Sequence, residues 1–80
     1  MTALAKNRFN SLARVLKSES SVEFQNDGFF YEIFESAERG YVVNVYSSDE
    51  KDEDGEYLEK YAVDGGLCSG SARDSIEFML

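Results

Sequence analysis

Eighty residues with sixteen acids, eight bases, one cysteine and neither histidine nor proline describe one small, strongly acidic domain spanning residues 1–80. A net charge of −8 repels nucleic acid and attracts basic surfaces, while the missing histidine removes the commonest general base and the commonest metal ligand together. Hydrophobic residues at 42% are too many for a disordered acidic chain, and no apolar run approaches the roughly 18 residues that a membrane-spanning helix needs.

The charge is segregated along the chain. Lys6, Arg8, Arg14 and Lys17 fall within the first eighteen residues, which hold no acid; the rest carries all sixteen acids against four bases. In residues 3–17, Ala5, Phe9, Leu12 and Leu16 recur at helical spacing with Ala13 and Val15 flanking the stripe, so the spacing predicts an amphipathic helix with its bases on the polar side. Lys17 suits the negative end of that helix, and Ser18, Glu19 and Ser20 end it. This stretch lacks the apolar segment and cleavage site of a secretory signal, and the expected location is cytoplasmic.

The period then changes to two. Val22 and Phe24 alternate with Glu23 and Gln25, Asn26-Asp27-Gly28 offers a hairpin turn, and a second strand covers Phe29 to Glu35. After a turn from Ser36 to Gly40, Tyr41 to Tyr46 is rich in the β-branched and aromatic residues that fit a pleated surface. An acidic loop runs from Ser47 to Glu56. Beyond it Tyr57 to Val63 alternates again and is expected to pair antiparallel with residues 41–46, with Asp64-Gly65-Gly66 breaking the run. Ser71 followed three residues later by Asp74 has the pattern of a capping box opening a last short helix, with Ala72, Ile76, Met79 and Leu80 inward and the apolar tail, Phe78 included, docked. The expected fold is α+β: an N-terminal amphipathic helix, an antiparallel meander of three or four strands and a short C-terminal helix, with both helices on one face of the sheet.

Residues 48–56 hold six acids, Asp49, Glu50, Asp52, Glu53, Asp54 and Glu56, and Glu59 follows. Read as a calcium loop, Glu50, Asp52 and Asp54 take the first, third and fifth positions and Gly55 the glycine position, but Tyr61 stands where a bidentate acid is required, so no metal site is expected. A solvated hairpin loop that aids solubility is the plainest reading. A third is a surface of carboxylates, with Glu32, Glu35 and Glu38 joining the loop, that imitates a phosphate backbone. Duplex DNA carries a charge about every 1.7 Å of its axis, and residues two apart on a strand lie about 6.6–6.8 Å apart, a permissive match.

Tyr31, Tyr41, Tyr46, Tyr57 and Tyr61 are many for so short a chain and offer an alternative, a protein-binding sheet face, since tyrosine brings apolar area with a hydrogen-bonding tip. Their acidic neighbours argue against direct nucleic-acid binding by this face. Cys68 follows two glycines and is either a small buried hydrophobe or a contact in a homodimer. No nucleophile motif surrounds Ser69 or Ser71, so the chain is read as a non-enzyme, without cofactor and without membrane attachment.

With its 80-residue length, the acidic cluster from Asp49 to Glu59, the Tyr41–Tyr46 strand and the helix–meander–helix order, the chain resembles the small acidic inhibitors encoded by phages and mobile elements. It is most similar in kind to the type I anti-CRISPR proteins and, more distantly, to DNA-mimicking antirestriction proteins. The resemblance implies a stoichiometric inhibitor that binds a CRISPR–Cas effector complex and prevents target-DNA binding or cleavage. It transfers no functional residue by motif.

Overall fold

In a computed structural model describing residues 6–38, 40–78 and 80, α1 (Lys6–Glu19) leads into a four-stranded antiparallel sheet of β1 (Ser21–Asn26), β2 (Phe29–Glu35), β3 (Tyr41–Tyr46) and β4 (Ala62–Cys68), and α2 (Ala72–Glu77) follows. The strands are ordered β1-β2-β3-β4, a pure meander, and the fold is α+β.

α1 forms where the helical spacing predicts it. Phe9, Ala13 and Leu16 are buried and Leu12 packs beside them. Val15 lies off this stripe at 43% exposure, and Ala5 falls outside the described residues. Ser20 closes the helix in the left-handed region at φ 65°, its N–H donating to Leu16 O at 2.9 Å. The β1–β2 turn is Asp27-Gly28 with both residues at positive φ, the conformation whose twist suits a two-residue hairpin. That turn sets the register Asn26↔Phe29, Phe24↔Tyr31, Glu23↔Glu32 and Val22↔Ile33.

Both helices lie on one face. The core gathers Phe9 and Leu16 of α1, Val22 and Phe24 of β1, Tyr31 and Ile33 of β2, Val43 and Val45 of β3, and Ala72 and Ile76 of α2, with Leu12, Tyr41 and Leu80 packed against it. The Phe24 and Tyr31 rings stack at 4.9 Å between centroids. α2 opens with the capping box read from the sequence: Ser71 Oγ accepts from Asp74 N and the Asp74 carboxylate accepts from Ser71 N. Phe78 does not dock. Two residues past buried Ile76 it points about 200° around the helix, at 46% exposure. Met79 lies outside the described residues.

The fourth strand is displaced from its expected place. Of the residues 57–63 expected to pair with 41–46, only Ala62 and Val63 lie in the strand; Tyr57 forms one bridge with Lys51, Glu59–Tyr61 is a 3-10 turn, and the antiparallel partner of β3 runs from Ala62 through Asp64-Gly65-Gly66 to Cys68. The glycines are accommodated because β3 fixes what can stand opposite it. A Cβ at Gly65 would sit 3.0 Å from Asn44 Oδ1, so glycine is accommodated here without displacing that side chain. A bulge between Val45 and Tyr46 absorbs the extra residue, Val63.

Candidate functional site

The sheet face away from the helices is formed by Ser21, Glu23 and Gln25 of β1, Phe30, Glu32 and Phe34 of β2, Val42, Asn44 and Tyr46 of β3, and Gly65 and Leu67 of β4. Strand alternation puts these residues opposite the buried set. Two cross-strand rows matter. Phe34, Val42 and Leu67 form an apolar row, with Phe34 38% and Leu67 53% exposed. Beside it run Glu23, Glu32 and Asn44.

The segment 47–61 folds back onto this face as a miniature hairpin. Asp52 N donates to Glu56 O at 2.9 Å and Gly55 N to Asp52 O at 3.0 Å, while Asp52 Oδ1 accepts from the backbone N–H of Asp54 and Glu56. Gly55, at φ 81°, permits the turn. Ser47 N donates to Tyr61 O and Leu58 N to Glu50 O, closing the base. The Asp52 carboxylate is therefore a turn-forming acceptor.

Two anchors fasten the hairpin. Lys51 Nζ lies 2.7 Å from Glu23 Oε1 and 4.5 Å from the centroid of the Tyr57 ring. The Tyr57 ring stacks on Tyr46 at 4.6 Å, and Tyr57 Oη donates to Glu23 Oε1 at 3.3 Å. Beneath them Glu32 Oε1 accepts from Asn44 Nδ2 at 3.3 Å and from Tyr46 Oη at 3.4 Å. The hydrogen bond to Glu23 holds the Lys51 ammonium above its ordinary pKa despite partial desolvation. Burial raises Tyr46 and Tyr57, with Glu32 adding to the first and Glu23 to the second.

Between the hairpin and the sheet lies a depression of about 420 Å³ lined by Ser21, Val22, Glu23, Glu32, Phe34, Asn44 and Glu56. Three carboxylates and one exposed phenyl ring thus surround one concavity, suited to a cation on an apolar stem.

Of the residues proposed from sequence, Asp49, Glu50, Asp52, Glu53, Asp54, Glu56 and Glu59 are all exposed on this folded segment, and Glu32 lies on the sheet face beneath it. Glu35 does not join them: three residues from Glu32, it points to the helix side at the end of β2, opposite Tyr41. Glu38 stays in the β2–β3 turn. Cys68 is buried at 7% exposure, as a small hydrophobe beside the core, and its thiol is not presented for a bridge between copies. The five tyrosines do not make one platform, since Tyr31 is in the core, Tyr41 packs against it and Tyr46 and Tyr57 stack on each other. Among the described residues no group of three or more His, Cys, Asp or Glu is arranged to hold a metal ion, and no helix is long and apolar enough to cross a membrane.

Sequence reasoning missed Glu23, Lys51 and the row Phe34, Val42 and Leu67. The Glu23↔Glu32 pairing was readable from the two-residue turn at Asp27-Gly28, which fixes every partner along the hairpin. The Lys51–Glu23 contact joins residues 28 apart and leaves no local pattern. Comparison with protein-family models, with curated proteins and with solved structures finds no match.

Proposed function

We propose that this chain is a non-enzymatic inhibitor that docks its acidic, helix-free face on a basic, DNA-binding surface of another protein and so excludes the nucleic acid, in the manner of the anti-CRISPR proteins it resembles. The observation that carries this reading is the fastening of the acidic hairpin to the sheet by Lys51 and Tyr57. A free acidic loop would lose conformational entropy on binding; a fastened one presents its carboxylates in place. The depression bounded by Glu23, Glu32 and Glu56 suits one lysine or arginine of the partner, its stem along Phe34 and its charge among the carboxylates.

The test is target-duplex binding by purified type I CRISPR surveillance complexes with this protein added in stoichiometric amount. Loss of duplex binding is expected, restored when Glu50, Glu53, Asp54 and Glu56 are reversed to lysine, with Asp52 kept because its carboxylate holds the turn. Unimpaired duplex binding across the complexes would sink the CRISPR assignment, and inhibition surviving the reversal would sink the acidic-face mechanism.

A second reading, a protein-interaction adaptor, is favoured by the exposed row Phe34, Val42 and Leu67. Its binding would withstand moderate salt, whereas binding through the carboxylates would weaken with added salt.

A further inference from the structure

Arg8, Arg14 and Lys17 of the acid-free first segment belong to α1, which packs on the sheet face opposite the acidic hairpin. Arg14 and Lys17, three residues apart on α1, share one face of that helix and line a groove of about 260 Å³ with Asn10, Ala13 and Arg73 of α2. In a chain with sixteen acids, no carboxylate lies within ion-pair distance of Arg14, Lys17 or Arg73 among the described residues. Glu77, one turn along α2 from Arg73, forms no such pair. The other described cations whose contacts are resolved are engaged elsewhere: Lys51 with Glu23, Lys60 over the Tyr61 ring and Arg8 with the Gln25 carbonyl. Three cations that share one groove repel one another, and among the described residues no acid pairs with them there.

We propose that the α1–α2 groove is a binding site for a compact phosphate group, with pyrophosphate as its simplest representative. Three cations lining one groove call for two or more negative charges on one small group. A carboxylate brings one, whereas a phosphate ester brings about two with three acceptor oxygens. Guanidinium forks at Arg14 and Arg73 match that oxygen geometry, and Lys17 adds a point charge. Arg73 is already oriented, its guanidinium stacked 5.0 Å from the Phe9 ring centroid, which lowers the entropy lost on binding. The acidic hairpin lies on the other face of the sheet, and salt screens charges more than a Debye length of about 8 Å apart.

The experiment is an amide-resolved NMR titration of the full chain with inorganic pyrophosphate at constant ionic strength, repeated with Arg14→Gln, Lys17→Gln and Arg73→Gln, substitutions by a good helix former. Saturable shifts confined to α1 and α2 are expected, with affinity about tenfold weaker in each variant. A control, Glu56→Gln, should leave the titration unchanged while it weakens docking by the acidic face, so failure here is distinct from failure of the proposed function. No saturable shift at millimolar pyrophosphate, or shifts of equal size in the variants, would overturn the proposal. Binding of a glutamate-rich peptide or of a single-stranded oligonucleotide without binding of pyrophosphate would overturn it too, in favour of a longer polyanion.

Discussion

Glu23 and Glu32 stand directly opposite each other on β1 and β2, two carboxylates on the same open face of the sheet. Like charges so placed destabilise a strand pair, yet each here has its own partners, Lys51 and Tyr57 for Glu23, Asn44 and Tyr46 for Glu32. The repulsion inside the sheet is thus relieved by the segment that carries the acidic cluster, which couples fold stability to presentation of the site. Replacing Lys51 with methionine keeps the stem and removes the charge. Stability is expected to fall by about 1 kcal/mol or less, as for an exposed ion pair, and added salt should recover part of it. Urea melts at two salt concentrations check this; a salt-independent deficit would contradict it.

The stack of Tyr57 on Tyr46 is the second fastening, and its removal should free the hairpin without changing the charge of the site. Tyr57→Ala is expected to cost about 1–2 kcal/mol and to expose residues 50–57 to a glutamate-specific protease. Tyr57→Phe keeps the ring and loses only the hydroxyl donated to the Glu23 carboxylate, so its cost should stay near 0.5–1 kcal/mol, a charge-assisted bond weakened by its exposure to solvent. Partner binding that tracks hairpin protection across these two variants would tie the fastening to function.

Raising the pH attacks both fastenings from one direction. Burial lifts the Tyr46 and Tyr57 pKa values above 10.0, and the bond to Glu23 lifts Lys51 above 10.5. In each case the folded state holds its proton more tightly than the unfolded state. The stabilisation is therefore complete below the unfolded values and is lost as pH rises from about 10 through the folded ones. Stability should fall over that alkaline range, and the tyrosinate absorbance of Tyr46 and Tyr57, assigned with Phe variants, should appear only above the ordinary tyrosine value of 10.0.

Backbone conformation predicts a pair of opposite effects. Ser20 sits in the left-handed region at the end of α1, where glycine carries no side-chain penalty, and its neighbours are held through its main chain, with Glu35 N donating to Ser20 O at 2.8 Å. Ser20→Gly should stabilise by about 0.5–1 kcal/mol, or a few degrees in Tm. Gly40 is the converse: at φ 79° a Cβ would land on the Cys68 carbonyl oxygen and 2.9 Å from Ser69 Cα, all backbone. Gly40→Ala should cost more than about 3 kcal/mol or prevent folding, because the β2–β3 turn would have to part from the end of β4.

What could be read from the chain was what is local. The α1 stripe of Phe9, Leu12 and Leu16, the Asp27-Gly28 turn and the Ser71–Asp74 box each declare themselves within a few residues, because the hydrogen bonds and packing that form them span no more than one or two turns. The fourth strand did not, since alternation in Tyr57–Val63 mimics a strand while Asp64-Gly65-Gly66 resembles a break. The strand is placed by its register on β3, Val43↔Gly66 and Asn44↔Gly65 included, which no local window contains. The acidic cluster was visible as composition, but its attachment through Glu23 and Tyr46, and the separation of Glu35 from Glu32 onto the other face, depend on register and on contacts made across the sheet.

The apolar row decides between the two functional readings. Phe34 and Leu67 are partly exposed on a face that the hairpin covers only in part, so replacing both with serine spares the helix-side core but removes the cross-strand row and should cost about 1–2 kcal/mol. If the acidic carboxylates drive docking, this double variant should bind the partner at low salt within a few-fold of the parent, and the Glu32→Gln, Glu56→Gln pair should lose more. If the row is the anchor, the order reverses and the loss persists at high salt, since apolar burial is not screened. Association and dissociation rates separate the cases further: carboxylate removal should slow association, whereas loss of Phe34 and Leu67 should speed dissociation, because long-range charge steers encounter and close packing sets residence.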